Sequence, residues 1–176
     1  MSLGQKIVEK LHLMQRVEDQ ISFSVRSNHE SEKGYRINER EGPVQVHLVV
    51  PDMDKYSFVI SKFELFHSDW TSRLPIKEQL RRQSDWIAER VTYLPERFAL
   101  IELDEINQVA QVRSRIPTQK GETKQYYEIL LKKGNTLTLS RYEIKVGDTS
   151  RLPVPFLLTE ELFSRLIDDL VGIWTN

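Results

Sequence analysis

The chain has 176 residues, of which 25 are basic and 26 are acidic, and it contains no cysteine. A chain of this length can bury roughly 70% of the surface that its unfolded form exposes, so it needs neither disulfides nor a metal to hold a core. The lack of cysteine excludes disulfides, thiolate metal sites and cysteine nucleophiles, and it is typical of proteins that fold in a reducing compartment such as the cytoplasm.

No apolar run approaches the roughly 20 residues of a membrane-spanning helix, and no basic leader with an apolar stretch follows Met1. No internal repeat or low-complexity tract divides the chain. We therefore expect one soluble, cytoplasmic domain over residues 1–176, without a membrane partner.

The first element is predicted to be an amphipathic helix over Ser2–Gln20, because apolar residues recur at steps of three and four from Ile7 onward. Apolar and polar residues then alternate over Ile21–Val25, so a short strand is the alternative there. The polar and charged segment Ser27–Gly42 predicts a loop.

Two strands, Val44–Val50 and Tyr56–Phe66, are predicted to form an antiparallel hairpin around a turn that contains proline. The parity of the apolar residues changes within the second strand, and a bulge near Ser61 would keep both halves facing the core. A second helix is predicted over Pro75–Leu94, because proline is favoured in the first helical turn and a further proline follows its end.

Four more strands complete the predicted sheet. Two of them are Phe98–Leu103 and Val109–Ile116. The other two form a hairpin around Gly134-Asn135, a pair that suits a two-residue type II′ turn. In the register that this turn predicts, Tyr127 faces Tyr142 on one side of the sheet.

The C-terminal part is predicted to hold one surface connection and one helix. The connection is Gly147–Pro155, which contains two prolines and no periodic pattern. The helix should begin after Thr159, a favourable N-cap. Apolar residues spread around much of its surface, among them Phe163, Leu170, Ile173 and Trp174. We therefore expect self-association through a face of this helix.

The predicted order of elements is α-ββ-α-ββββ-α, or α-βββ-α-ββββ-α if Ile21–Val25 is a strand. Consecutive strands with short turns favour antiparallel pairing, and helices can then cover one or both faces of the sheet. The predicted fold class is therefore α+β, with a largely antiparallel sheet of about six strands and three helices.

No motif in the chain identifies a reaction. The chain contains four histidines, which are His12, His29, His47 and His67. No two of them have the short spacing of a metal site, and no glycine-rich phosphate loop or Gly-x-Ser-x-Gly elbow occurs. We therefore expect no bound metal, no cofactor and no catalytic residue that the sequence reveals.

Two polar clusters have structural explanations that we favour over chemistry. Asp52 and Asp54 have the spacing of a cation-binding carboxylate pair, but they lie in a turn, where aspartate bonds nearby backbone N–H groups. The segment His67–Ser72 is the densest group of potentially reactive side chains, but a role of Ser68, Asp69 and Ser72 in capping and turns explains it without chemistry.

The remaining candidate for binding lies on the predicted strand Val109–Ile116. Alternation assigns Ile116 to the core side and Gln111, Arg113 and Arg115 to the opposite side. Residues 109–151 hold nine basic and four acidic side chains, although the whole chain has a net charge of −1. Arginine forks suit carboxylate or phosphate groups, so this face could bind a small anionic ligand or an acidic protein partner.

The leading functional hypothesis is a non-enzymatic binding or adaptor protein that acts through a protein partner or self-association. Small domains of similar helix and strand content also occur in secretion chaperones and other adaptors, a similarity of fold alone. The alternatives are a domain that binds a small anionic ligand near Arg113 and Arg115, and an enzyme with a dispersed site. We expect no nucleic-acid partner, because the chain is slightly acidic overall and carries no recognition motif.

Overall fold

The structure is a computed structural model that describes the backbone of residues 1–24 and 34–175, and the side chains of residues 1–18 and 34–175. Within these ranges the helices are α1 (Leu3–Ser24), α2 (Ile76–Arg90) and α3 (Glu160–Val171), and a 3₁₀ turn over Gly172–Trp174 follows α3. The strands are β1 (Tyr35–Glu41), β2 (Val44–Val50), β3 (Asp52–Met53), β4 (Ser57–Ile60), β5 (Lys62–His67), β6 (Phe98–Asp104), β7 (Val109–Ser114), β8 (Thr118–Lys120), β9 (Thr123–Lys132), β10 (Thr136–Lys145), β11 (Arg151–Val154) and β12 (Phe156–Thr159).

Nine of these strands form one large sheet. Its main order is β1-β2-β5-β10-β9-β7-β6, with β11 beside β10 and β8 beside β9. The remaining strands form a small sheet of order β12-β4-β3. All the pairings are antiparallel. The predicted α+β class with three helices is confirmed, and the strands are more numerous than the six or so that we predicted.

Two helices pack on one face of the large sheet, α1 against β1 and α2 against β6 and β7, and α3 packs against α1, α2 and the small sheet. On that face the side chains of β2 at Val44, Val46, Leu48 and Val50 are buried, whereas the residues between them are partly exposed. The same alternation holds for β7. The opposite face, which we call the open face, is covered by no helix among the described residues. No helix in the described part of the chain combines the length and the apolarity that a membrane span requires.

The backbone carbonyl of Gly134, at the tip of the β9–β10 hairpin, accepts three hydrogen bonds from the helix layer. Gln83 Nε2 donates over 2.7 Å, Trp174 Nε1 over 2.8 Å and Gln79 Nε2 over 3.4 Å. All three side chains are buried. One oxygen atom therefore joins the central hairpin to both α2 and the 3₁₀ turn.

The N-terminal part differs from the prediction in two places. The backbone is helical through Ser24, so the strand alternative over Ile21–Val25 is wrong for the residues that the structure describes. The predicted loop Ser27–Gly42 contains β1, and residues 25–33 of that loop lie outside the described residues. The sequence of β1 lacks a clear apolar alternation because this edge strand buries only Ile37 and pairs its acidic residues with lysines of α1.

The predicted strand Tyr56–Phe66 is two strands in two different sheets. β4 pairs with β12 in the small sheet, and β5 pairs with β2 in the large one. The chain changes sheets at Ser61, whose N–H donates to the carbonyl of Val49 over 2.9 Å. The change of parity that predicted a bulge therefore marks a change of sheet. The predicted hairpin exists as the antiparallel β2–β5 pair alone.

The hairpin at Gly134 is confirmed, but its predicted register is wrong by one residue. Tyr142 faces Tyr126, so Tyr127 lies on the other side of the sheet. Lys133 and Gly134 both have positive φ, of 53° and 68°, which centres the tight turn one residue earlier than we predicted. Because side chains alternate along a strand, a slip of one residue reverses the face of each of them.

Three further predictions are wrong, two about strands and one about a helix. Gly147–Pro155 is not a bare connection, since it contains β11, an edge strand in which proline is tolerated. Ile116 is not in the core: β7 ends at Ser114, and the side chain of Ile116 is 77% exposed. The second helix ends at Arg90, four residues earlier than we predicted.

The last helix begins where the sequence predicts. The hydroxyl of Thr159 accepts a hydrogen bond from the N–H of Leu162 and caps α3. The apolar residues that motivated self-association, Phe163, Leu170, Ile173 and Trp174, are all buried against their own chain. The helix therefore offers no such apolar face, and self-association stays a prediction without that support.

Replacing Gly134 by alanine should destabilise the protein more than replacing Gly42 by alanine. Both glycines are left-handed, with φ of 68° and 57°, so alanine costs about 1–2 kcal/mol at either position. At Gly134 the added Cβ would also lie 1.9 Å from Nε2 of Gln79, whereas at Gly42 it would meet nothing within 4 Å. We expect urea denaturation to show an additional loss of about 1–3 kcal/mol for Gly134→Ala. Equal losses would contradict tight packing at the hairpin tip.

Candidate functional site

Gln111 and Arg113 lie on β7 with their side chains on the open face, both partly buried. Arg115 lies just beyond the strand and is exposed, and its N–H donates to the carbonyl of Arg97 over 2.7 Å. The structure therefore brings two of the three predicted residues together and places the third outside the strand ladder.

Gln111 and Arg113 belong to a group of six side chains on the open face that we call the tyrosine–arginine cluster. Its members are Gln111, Arg113, Tyr126, Glu128, Tyr142 and Arg151. Tyr126 and Tyr142 face each other across β9 and β10, with ring centroids 5.8 Å apart. The guanidinium of Arg113 lies 5.1 Å from the centroid of Tyr126, and that of Arg151 lies 4.1 Å from the centroid of Tyr142. Both distances are within the range of cation–π attraction.

A buried carboxylate, Glu128, organises the cluster. Its side chain is 6% exposed, and its Oε2 accepts hydrogen bonds of 2.6 Å from both Arg151 Nη1 and Gln111 Nε2. The hydrogen bond to Glu128 raises the pKa of Arg151, against the opposing effect of its partial burial. Arg113 is the direct cross-strand neighbour of Glu128 but forms no ion pair among the described residues. The cluster therefore carries one cation beyond its internal pair.

Three members of the cluster were not predicted from the sequence as site residues: Tyr126, Tyr142 and Arg151. The one-residue error in the hairpin register places Tyr127 opposite Tyr142 and so hides Tyr126. Arg151 lies in the segment that was predicted to be a connection. The alternation of Arg151 and Pro153 with two apolar residues is the signal that could have indicated a strand there.

A buried network on the helix side of the same hairpin fixes the strands that carry the cluster. The carboxylate of Glu96 accepts hydrogen bonds from Thr118 Oγ1 and from Arg141 Nη2, the latter over 3.4 Å. The guanidinium of Arg141 lies 4.3 Å from the ring centroid of Tyr127, whose pKa is raised by burial. These charges satisfy each other inside the protein, so we assign them a structural role.

The open face carries more basic than acidic side chains. The strand registers place seven basic and four acidic side chains on it. The basic ones are Arg36, Arg40, Lys62, Arg113, Lys124, Lys132 and Arg151, and the acidic ones are Glu64, Glu102, Asp104 and Glu128. Since the net charge of the chain is −1, this excess makes the open face positive relative to the rest of the molecule.

The edges of the large sheet are poorly suited to pairing with another strand. The pairing of β6 shifts register between Leu100 and Glu102, β8 has only three residues, and β11 contains Pro153. The other edge strand, β1, has charged side chains at four of its seven positions. Bulges, short strands, proline and charge are the devices that protect sheet edges, so the open face is the better candidate for binding.

The histidines do not converge on one site. His12 Nε2 lies 3.0 Å from Glu160 Oε2 and links α1 to α3. His47 and His67 lie on β2 and β5, and His29 lies outside the described residues. Over residues 1–18 and 34–175, no three histidine, aspartate or glutamate side chains come together as a metal site requires.

The aspartates after β2 bind backbone groups, as the turn interpretation predicts. The Oδ1 atom of Asp54 accepts hydrogen bonds of 2.7 Å from the N–H groups of Tyr56 and Ser57. The bond from Tyr56 contributes most to holding the pKa of Asp54 below its usual value. Asp52 similarly accepts from the N–H of Met53. Both carboxylates therefore have local structural partners.

Comparison with models of protein families, with curated proteins and with solved structures finds no match to this chain. Similarity to other proteins therefore supports no function. The argument for a function depends on the geometry of the open face and its tyrosine–arginine cluster.

Removing Arg151 should destabilise the protein, because the buried carboxylate of Glu128 would keep only one donor. We expect Arg151→Ala to lower the free energy of unfolding by about 1–3 kcal/mol. With Glu128→Gln already present, the same change should cost less, giving a coupling energy of about 1 kcal/mol in a double-mutant cycle. Urea unfolding of the four proteins measures it. Additive losses would show that the two side chains do not interact.

Proposed function

We propose that this chain is a non-enzymatic binding domain whose open face binds an acidic segment of a protein partner. The observation that supports the proposal is the tyrosine–arginine cluster, which lies on a face with seven basic and four acidic side chains. Tyr126 and Glu128 are buried within the cluster, so its accessible part consists mainly of Arg113, Tyr142 and Arg151. Opposite charge across an interface steers association and fixes orientation. An acidic partner therefore fits this face better than a basic or a neutral one.

The residue types of the cluster are those that dominate protein interfaces. Tyrosine and arginine are enriched among the residues that contribute most to binding, because they offer a large contact area. In this cluster each arginine already contacts a tyrosine ring, and Glu128 holds Arg151 and Gln111 in place. Binding would order few further side chains, so little conformational entropy would be lost.

Apolar side chains beside the cluster add to the contact surface. Phe66 and Leu130 lie on the open face and are partly exposed, on β5 and β9. Thr138 lies between these strands, next to Leu130 in the register. An apolar centre with a charged border is the usual anatomy of a protein interface.

A small anionic ligand is the weaker candidate for the same face. Arg113 and Arg115 do not form the two-residue clamp that the sequence suggested, because Arg115 lies beyond the end of β7. Glu128 already pairs with Arg151 inside the cluster, so a small anion would find only the guanidinium of Arg113 there, whereas a longer acidic segment could also reach other basic side chains of the open face. An enzyme with a dispersed site stays an untested alternative. The absence of cysteine is the reason to propose the cytoplasm as the location.

The proposal is tested with an acidic peptide of about twelve residues, in which glutamate alternates with leucine, and its lysine counterpart. Fluorescence anisotropy should show that the chain binds the acidic peptide and not the basic one. The double variant Arg113→Gln/Lys124→Gln, which removes two basic side chains of the open face, should weaken binding by about tenfold or more. Glutamine is preferred to glutamate because a carboxylate at position 113 would face Glu128 directly.

The matched control is Arg73→Gln/Arg81→Gln, which removes the same charge from two exposed positions away from the open face. This variant should bind the acidic peptide with an affinity within about twofold of the parent. Equal losses in both double variants would contradict a specific face. Tighter binding to a DNA duplex or to anionic vesicles than to the peptide would assign the face to another class of partner. A dimer broken by the Arg113/Lys124 variant would assign it to a second copy.

A further inference from the structure

A pocket of about 300 Å³ lies beside α2, on the side of the large sheet that the helices cover. It is remote from the open face, which is on the opposite side of that sheet. Its lining includes Trp70, Leu74, Trp86 and Ile173. This volume is at the lower end of the range for small-molecule sites. The pocket therefore offers an aromatic and apolar wall to a small ligand.

The two tryptophans of the pocket are accessible, and one of them is fixed in place. Trp70 and Trp86 are both partly exposed. The Trp86 ring packs so closely against Gly172 that a Cβ at this glycine would lie 2.7 Å from Cζ2 of the ring. The guanidinium of Arg90 lies 4.5 Å from the Trp86 ring centroid, but Arg90 does not line the pocket. The part of Trp86 that lines the pocket is therefore open to a ligand.

The border of the pocket carries two carboxylates, Asp85 and Glu89, on α2. Both residues are exposed, and neither forms an ion pair within residues 1–18 and 34–175. Glu89 follows Asp85 by four residues and Trp86 by three, so in each pair the Cβ atoms lie about 5–6 Å apart on the helix surface. Among the described residues that line the pocket, the basic one is Arg82, which pairs with Glu78 over 2.9 Å. These charges favour a positively charged ligand.

The lining fits an organic cation better than a metal ion. Ca²⁺ and Mg²⁺ take about six to eight oxygen ligands, and no three histidine, aspartate or glutamate side chains come together in the described part of the chain. Aromatic rings recognise quaternary ammonium ions, whose methyl groups can contact apolar side chains. A primary ammonium ion is strongly hydrated and would lose more of its hydration in such a pocket.

We propose that this pocket binds a small molecule or side chain that carries a quaternary ammonium group. Trp70 and Trp86 would contact its methyl groups, together with Leu74 and Ile173. Asp85 and Glu89 would lie beside its positive charge.

The test uses choline as the probe. The matched control is its neutral analogue, in which a tert-butyl group of nearly the same shape replaces the trimethylammonium group. A ¹H–¹⁵N spectrum at constant ionic strength shows the indole N–H signals of all three tryptophans. We expect choline to shift the signals of Trp70 and Trp86 saturably and to leave that of the buried Trp174 in place. The neutral analogue should bind about tenfold more weakly.

A peptide with one trimethyl-lysine carries the same group on a protein chain, and its counterpart with unmodified lysine should bind about tenfold more weakly. Tighter binding to the trimethyl-lysine peptide than to choline would identify a modified protein as the source of the group. Tighter binding to choline would identify a free small molecule. Either result supports the proposal.

The double variant Asp85→Asn/Glu89→Gln should bind choline about tenfold more weakly, because it removes both carboxylates. Its control, Glu18→Gln/Glu122→Gln, removes two exposed carboxylates outside the pocket and should bind within about twofold of the parent. No saturable shift with choline, equal affinity for choline and its neutral analogue, or equal losses in both double variants would overturn the proposal. The probe comparison uses the unaltered chain, so it decides the matter even if a variant does not fold.

Discussion

The carbonyl oxygen of Gly134 is the contact on which the arrangement of the molecule depends. It accepts hydrogen bonds from two side chains of α2 and from Trp174 after α3, so it fixes the tip of the central hairpin beneath the helix layer. Each donor is buried and would otherwise lack a partner, which makes the contact specific as well as stabilising. It also requires a glycine, because the left-handed backbone and the nearby Gln79 amide leave no room for a side chain.

The same hairpin contributes side chains to both faces of the large sheet. Its strands β9 and β10 bury Ile129 and Leu139 beneath the helices, and three residues away they place Tyr126 and Tyr142 on the open face. Because successive side chains of a β-strand point to opposite faces, the same two strands hold the core on one face and the aromatic side chains that the arginines contact on the other.

Local patterns in the sequence were enough for the α+β class, the three helices, the cap at Thr159 and the turn at Gly134. What they could not provide was the exact pairing. Turn residues indicate where a hairpin bends, but Lys133 adopts a left-handed backbone that its side chain does not favour, so the register moved by one residue. The candidate site was predicted least completely. The error in the hairpin register left out Tyr126, and the strand β11, which was not predicted, left out Arg151. Gln111 and Arg113 were found because alternation within one strand does not depend on pairing.

The most direct test of the account is to locate a bound acidic peptide by intermolecular nuclear Overhauser effects to the tyrosine rings. The account predicts contacts from the peptide to the ring protons of Tyr142, which is partly exposed on the open face. Tyr56 is 68% exposed and lies in the turn between β3 and β4, outside the large sheet, so it serves as an internal reference. Contacts to Tyr56 alone, or to no tyrosine, would contradict the claim that the open face is the binding site.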